Sequence, residues 1–161
     1  MKPELLITSD DDIVLKSITS CISCIDCSSF FQGHLGKPQI DQRKIVANFQ
    51  RHTESILAST IPAIKWSTEH CPSRQNKDSI DIFGEGNEFV VAIELDKGRA
   101  DQVAKKFVSR MAILPTTVVH FISLCYPGTE RMSRPECEKY FGYCSILASR
   151  MNNHYAGFII G

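Results

Sequence analysis

The sequence of 161 residues has no apolar run approaching the ~20 residues that a membrane-crossing helix needs, so no membrane association is expected. Its opening, MKPELLITSDDDIVLK, lacks the basic-then-apolar order of a secretory signal, and its charges are mostly acidic. These two absences predict a cytoplasmic protein. The formal net charge is zero, so no bulk field draws an anionic polymer, and nucleic-acid binding would need a local basic patch. Glycine and proline show little excess, and the chain carries no internal repeat or low-complexity segment. A phosphate-cradling loop is missing too, because the glycines of FGEGNE are followed by a strand pattern rather than a helix. What is present is 43% apolar and 22% charged residues, a balance that predicts one globular domain over residues 1–161, large enough for a core.

Cysteine is present in an odd number, seven, and without a secretory signal the default is reduced thiols. Cys21, Cys24 and Cys27 fall in CISCIDC. The spacing opens like a ferredoxin cluster motif, but Phe31 stands where the next cysteine would be needed. His34 offers a fourth zinc ligand at a spacing that matches no common module. On a helix these thiols also substitute well for small apolar residues, and burial is the simpler reading. A Cys71–His70 nucleophile pair is disfavoured because the base normally comes from elsewhere in the fold. His120, in an apolar strand pattern, reads as a core histidine.

Periodicity divides the chain into an N-terminal helical appendage and linker over residues 1–38 and a core over residues 40–161. In the first part, DDIVLKSITSCISCIDCSSFF predicts a helix after the Asp10–Asp12 cluster, and QGHLGKPQ reads as a linker. In the second, IDQRKIVANFQRHTESILAS is helical with Asp41 as N-cap. AIKW suggests a short strand, and EHCPSRQNKD a polar loop ahead of SIDIF. SIDIF and EFVVAIELD flank GEGN as a β-hairpin. RADQVAKKFVSRMAIL is a helix with Val103, Ala104, Phe107, Val108 and Met111 on its core stripe. TTVVHFISLCY is a buried strand, PECEKYFGYCSILASRMN a last helix with Pro135 in its first turn, and YAGFIIG a final strand. The core order α-β-β-α-β-α-β, with parallel strands joined across a helix and an antiparallel hairpin attached, predicts an α/β mixed sheet flanked by helices.

Chemistry concentrates where the apolar run FVVAI stops at Glu94-Leu95-Asp96-Lys97. In a strand, Glu94 and Asp96 share a face. Two like charges side by side repel unless something positive sits between them, and a divalent metal such as Mg²⁺ or Mn²⁺ is one solution. Asp81, between Ile80 and Ile82, is costly in a core-facing strand unless paired or metal-bound. The short hairpin loop allows it to lie across from Glu94. The plainer alternative is a solvated strand end with Asp81 at an edge.

Asp81 on one strand, a hairpin, then Glu94-X-Asp96-Lys97 closing the next resembles the PD-(D/E)XK superfamily of restriction endonucleases and resolvases. The resemblance spans roughly residues 40–126, including the order of elements. It implies a restriction-endonuclease-like core and Mg²⁺-dependent phosphodiester hydrolysis, most often in double-stranded DNA. Asp81 and Glu94 would be metal ligands, Asp96 a third ligand or general base, and Glu54 an additional acid on the preceding helix. The family usually carries lysine where this chain has Asp96. Lys97 is the nearest substitute, if the chain turns at Gly98, and Lys106 is the other. Gln102 resembles a glutamine that several members place on this helix. Arg99, Lys105, Lys106 and Arg110 lie on the polar side of the same helix and suit phosphate contacts. Pairing of two copies through the last helix and YAGFIIG would allow both strands to be cut. A non-catalytic binding or assembly protein on the same fold is the competing reading, as is a nuclease module guided by a partner.

Overall fold

Six strands form one mixed sheet in the order β1-β6-β5-β4-β3-β2. In the computed structural model, which describes residues 1–73, 78–97, 99–127 and 133–161, β1 (Pro3–Thr8) is followed by α1 (Ile13–Ser23) and a single turn, α2 (Ser28–Phe31). A 3-10 turn (His34–Gly36) leads to α3 (Gln39–Thr60), β2 (Lys65–His70), β3 (Ile80–Glu85) and β4 (Phe89–Asp96). α4 (Asp101–Ile113), β5 (Val118–Cys125), α5 (Arg134–Arg150) and β6 (His154–Ile160) complete the chain. β4, β5 and β6 are parallel, while β2, β3 and β1 pair antiparallel with their neighbours. The fold is therefore α/β, with a six-stranded mixed sheet flanked by helices.

The central strands read as nearly unbroken apolar runs because both their faces are covered. Val91, Ile93 and Leu95 of β4 face a core shared with Leu15 and Ile18 of α1 and Phe49 and Leu57 of α3. Val90 and Ala92 face the opposite core, with Val103 and Phe107 of α4 and Phe141 of α5. The same alternation places Glu94 and Asp96 on the α4 side.

Several expectations need correction. Residues 1–38 are no appendage: β1 is a strand of the sheet, α1 buries Leu15, Ile18 and Ile22, and His34 of the expected linker is fully buried. Too few alternating apolar residues precede Thr8 to mark a half-covered edge strand from sequence. From residue 40 the order is α-β-β-β-α-β-α-β, since β2 runs from Lys65 to His70 and takes in residues assigned to AIKW and to the following loop. Asp41 lies in the first turn of α3, but the N-cap position is Pro38 and makes no side-chain cap. YAGFIIG cannot be a dimer surface, because β6 lies between β1 and β5 and is almost wholly buried. Val108 of the expected α4 core stripe is exposed. Part of the EHCPSRQNKD loop, the turn at Gly98 and the break at Gly128 fall outside the described residues. Among the described residues, no single helix is long and apolar enough to cross a membrane.

α5 lies against β6 over Gly157, where a Cβ would overlap the Phe141 ring. Phe141 is itself fully buried and cannot swing aside. Gly157→Ala is expected to destabilise the fold by about 1–3 kcal/mol through overpacking, read as a lowered denaturation midpoint with unchanged slope in urea.

Candidate functional site

The carboxyl end of β4 carries the acids, and the β3–β4 register carries Asp81 to meet them. Ile82 pairs with Ile93, so one step further along the hairpin Asp81 comes opposite Glu94. The Asp81 side chain then takes over from the backbone ladder: Oδ2 accepts the Leu95 N–H at 2.7 Å. Asp81 is flanked by the fully buried Ile80 and Ile82, as the sequence pattern requires.

Lys106 binds this group together. Its Nζ lies 2.9 Å from Glu94 Oε2, 3.0 Å from Asp96 Oδ1 and 3.6 Å from Asp81 Oδ2. It also donates to the Leu95 carbonyl at 3.0 Å. One helical turn on, Arg110 donates through Nε to Glu94 Oε1 at 2.8 Å and reaches Asp78 at 3.2 Å. Lys106 and Arg110 meet the acids because i and i+4 share a helix face, and Val103 and Phe107 hold that helix against the sheet. Glu94 and Asp96 are buried, at 1% and 3% exposure. Lys106 and Arg110, both partly buried, thus face the three carboxylates, and Arg110 also pairs with the exposed Asp78.

The electrostatics follow from burial. Desolvation, then repulsion from Glu94, raises Asp81 to about 7 against the opposing pull of Lys106. Burial likewise pushes Asp96 up, with Lys106 pulling the other way. Burial disfavours the Lys106 ammonium, yet Asp96, Glu94 and Asp81 outweigh it and hold its pKa above the ordinary lysine value. Asp96 Oδ2 is buried and has no hydrogen-bond partner among the described residues. The donors here are all oxygen, the chemistry that Mg²⁺ takes. The three carboxylates are nevertheless spread around the ammonium rather than gathered to a point. Among the described residues, the ligand-bearing set whose atoms all fall within 4.8 Å of one another is a different one, Asp12, His120 and His154.

A cleft of about 420 Å³ opens beside Asp81, lined in part by Gln42, Arg43 and Gln50 of α3, Glu69, Lys97 and Tyr126. Gln50 Nε2 donates to Glu69 Oε1 at 2.9 Å and to the Asp81 carbonyl. Glu69 Oε2 accepts from Ser79 at 2.8 Å. Glu69 has φ 52°, a left-handed conformation that costs a non-glycine residue about 1–2 kcal/mol. Anchoring by Gln50 and Ser79 holds that strain beside the cleft.

The structure thus joins Asp81, Glu94, Asp96 and Lys106, and separates other expected residues from them. Lys97 is exposed and bonds Gln42 Oε1 at 3.2 Å, on the cleft rather than among the acids. Arg110 is turned inward onto Glu94 and Asp78, so it is not a free phosphate contact. Arg99 forms a two-pronged pair with Asp101, and Gln102 also bonds Asp101. Lys105 is exposed. Glu54 is half-buried on α3, and among the described residues it pairs with neither Lys106 nor Arg110; Gln50, one turn earlier, reaches the site instead. Gln50 carries no charge and stands in a helix of ordinary polarity, so only its spacing of i−4 from Glu54 hints at it. Cys21, Cys24, Cys27 and His34 do not gather as a metal set, and all seven cysteines are free, five of them buried. His120 is a buried histidine as expected, but one bonded to Asp12.

No protein-family model matches this sequence, and a search of curated proteins finds no significant match.

Two outcomes test the electrostatics. Lys106→Met leaves Glu94 and Asp96 buried with Arg110 alone, and is expected to cost about 3 kcal/mol of stability by chemical denaturation. An acid whose folded pKa is raised binds its proton more tightly in the folded state. Its contribution is complete below the unfolded value of 3.8 and is lost as pH rises toward about 7. Without divalent metal, stability should therefore decline between those limits, and Asp81→Asn should flatten that decline.

Proposed function

We propose that this protein is a Mg²⁺- or Mn²⁺-dependent endonuclease with a restriction-endonuclease-like core, acting on double-stranded DNA. The observation that carries the reading is the placement of Lys106. Where the resembled family usually has a strand lysine, this chain has Asp96, and the ammonium arrives instead from α4 to lie 3.0 Å from Asp96 and 2.9 Å from Glu94. The hairpin register that sets Asp81 opposite Glu94, followed by a helix and a parallel strand, supports the same reading.

Asp81 and Glu94 would hold the ion, and the unpartnered Oδ2 of Asp96 is a further oxygen donor beside them. Such an ion, when bound, activates water and stabilises negative charge at phosphorus. The chain's own groups supply the rest. Lys106 is tied to Asp96 and the Leu95 carbonyl, and so presents a fixed positive charge for the developing phosphate charge. Lys97 and Arg43 line the cleft from the solvent side and suit flanking phosphates. Gln50 braces Asp81 from behind. Pairing of two copies would use the outer face of α5, where Tyr143, Ile146, Leu147 and Met151 are exposed.

The closure of the ion pairs favours a second reading. Glu94 is 1% exposed and has Lys106 on one oxygen and Arg110 on the other, an arrangement that needs no metal to persist. It fits a binding or assembly protein that uses the acids structurally.

Incubation with supercoiled plasmid and Mg²⁺ or Mn²⁺ decides between them. The nuclease reading expects nicking that EDTA abolishes and that Asp81→Asn lowers by about 100-fold or more, the scale of one lost transition-state group. Folded protein that leaves plasmid intact and takes up no Mg²⁺ or Mn²⁺ by calorimetry supports the second reading.

A further inference from the structure

At the opposite end of the parallel strands lies a group that the nuclease reading does not use. His120 and His154 are paired directly across β5 and β6, which stacks their rings at 4.6 Å between centroids. β1 runs antiparallel to β6, with Thr8 paired to Ala156 and Ser9 N–H donating to the Tyr155 carbonyl. The residues that follow, Asp10 and Asp12, are thereby delivered to the two imidazoles. His120 Nε2 is 2.8 Å from Asp12 Oδ1, and His154 Nε2 is 3.9 Å from Asp12 Oδ2. Cys125, paired with Asp96, is five residues beyond His120 on β5; at ~3.3 Å per residue the two sites are separated by roughly 16 Å along the strand.

We propose that Asp12, His120 and His154 form a binding site for a divalent first-row transition ion, Zn²⁺ in preference to Mg²⁺, which pins the β1–α1 corner to the starts of β5 and β6. Three observations carry this. The ligand atoms of the three residues all lie within 4.8 Å of one another. Bonds of about 2.05 Å in tetrahedral geometry set ligands about 3.3 Å apart, and each imidazole Nε2 lies near that distance from one oxygen of the Asp12 carboxylate, His120 at 2.8 Å from Oδ1 and His154 at 3.9 Å from Oδ2. Asp10 supplies the outer support that metal-binding histidines characteristically have: its Oδ2 is 2.8 Å from His154 Nδ1, which leaves Nε2 turned toward Asp12. Asp10 is itself anchored by Ser9 Oγ at 2.8 Å and by the Asp12 N–H at 2.9 Å.

The donor chemistry selects the ion. Imidazole nitrogen suits zinc and its neighbours, whereas Mg²⁺ keeps to oxygen and water. Asp10 and Asp12 set two carboxylates against the two imidazoles, so acidic oxygens stand ready for a cation to offset. His154 and Asp12 are each about a quarter exposed, at 24% and 25%. That gives the ion a route in and leaves a fourth position for water. Asp12 also caps α1 through the Leu15 N–H at 2.8 Å, so an ion on it would brace helix and sheet together.

The test uses the full chain, stripped with EDTA and returned to metal-free buffer, then titrated with Zn²⁺ and with Co²⁺ as a spectroscopic probe. The expected result is one Zn²⁺ per chain, a raised thermal midpoint, and Co²⁺ visible bands of nitrogen and oxygen ligation. His154→Ala should abolish this binding, Asp10→Asn should weaken it about 10–100-fold, and Glu94→Gln should leave it intact. Failure of the native chain to take up Zn²⁺ at micromolar concentration would overturn the proposal, whatever the variants do. Thiolate charge-transfer bands with Co²⁺, or Zn²⁺ binding that survives His154→Ala, would also overturn it. Because Glu94→Gln removes the other site alone, loss of nuclease activity and loss of Zn²⁺ binding are read separately.

Discussion

A single ammonium holds three carboxylates at the end of a buried strand, and the surrounding architecture depends on that arrangement. Glu94 and Asp96 on adjacent same-face positions would repel each other in a core that excludes water. Lys106 lies between them, also touches the Leu95 carbonyl, and so connects α4 to the last residues of β4. Arg110 extends the connection to Glu94 and Asp78. An ion-paired cluster of this kind adds little net stability over an apolar core of the same shape. What it does provide is a fixed relation between helix and strand, and a concentration of charge where the carboxyl ends of parallel strands expose their loops.

The sheet has a polar group at each end, built differently. At the carboxyl end of β4 the donors are oxygens around an internal cation, beside a cleft in which Glu69 is kept in a left-handed backbone conformation by Gln50 and Ser79. At the amino ends of β5 and β6 the donors include imidazole, and among the described residues no lysine or arginine enters the hydrogen-bonded group of Asp10, Asp12, His120 and His154. The first end supplies its own positive charge; the second has carboxylates and imidazole, the residue types that ligate transition metals. Both depend on register, because a one-residue slip in β3 or β6 would turn Asp81 or His154 to the other face.

Much of this was legible from residue patterns. Alternation in EFVVAIELD placed Glu94 and Asp96 together, and the short glycine-containing loop brought Asp81 back along the hairpin. The helix over 101–113 was readable from Val103 and Phe107, and Lys106 was one of two lysines suited to the site. Lys97 was the other, but strand alternation turns it away from Glu94, and it sits on the cleft with Gln42. β1 was not readable, since PELLIT carries too little alternation and takes its place only when β6 offers an edge. The cluster of Asp12, His120 and His154 was invisible for the same reason: its members are 108 and 34 residues apart and belong to three separate strands or corners.

The sequence by itself therefore determined α3, the β3–β4 hairpin that supplies the third acid, α4 and β5, and the face on which the acids lie. These are local matters, decided by periods of two and 3.6 residues and by turn chemistry. Only the tertiary structure decided which cation meets the acids, that the N-terminal segment is a strand of the sheet, and which histidines find which aspartates. Those outcomes rest on strand order and register between distant segments, where burial of whole faces outweighs any local preference.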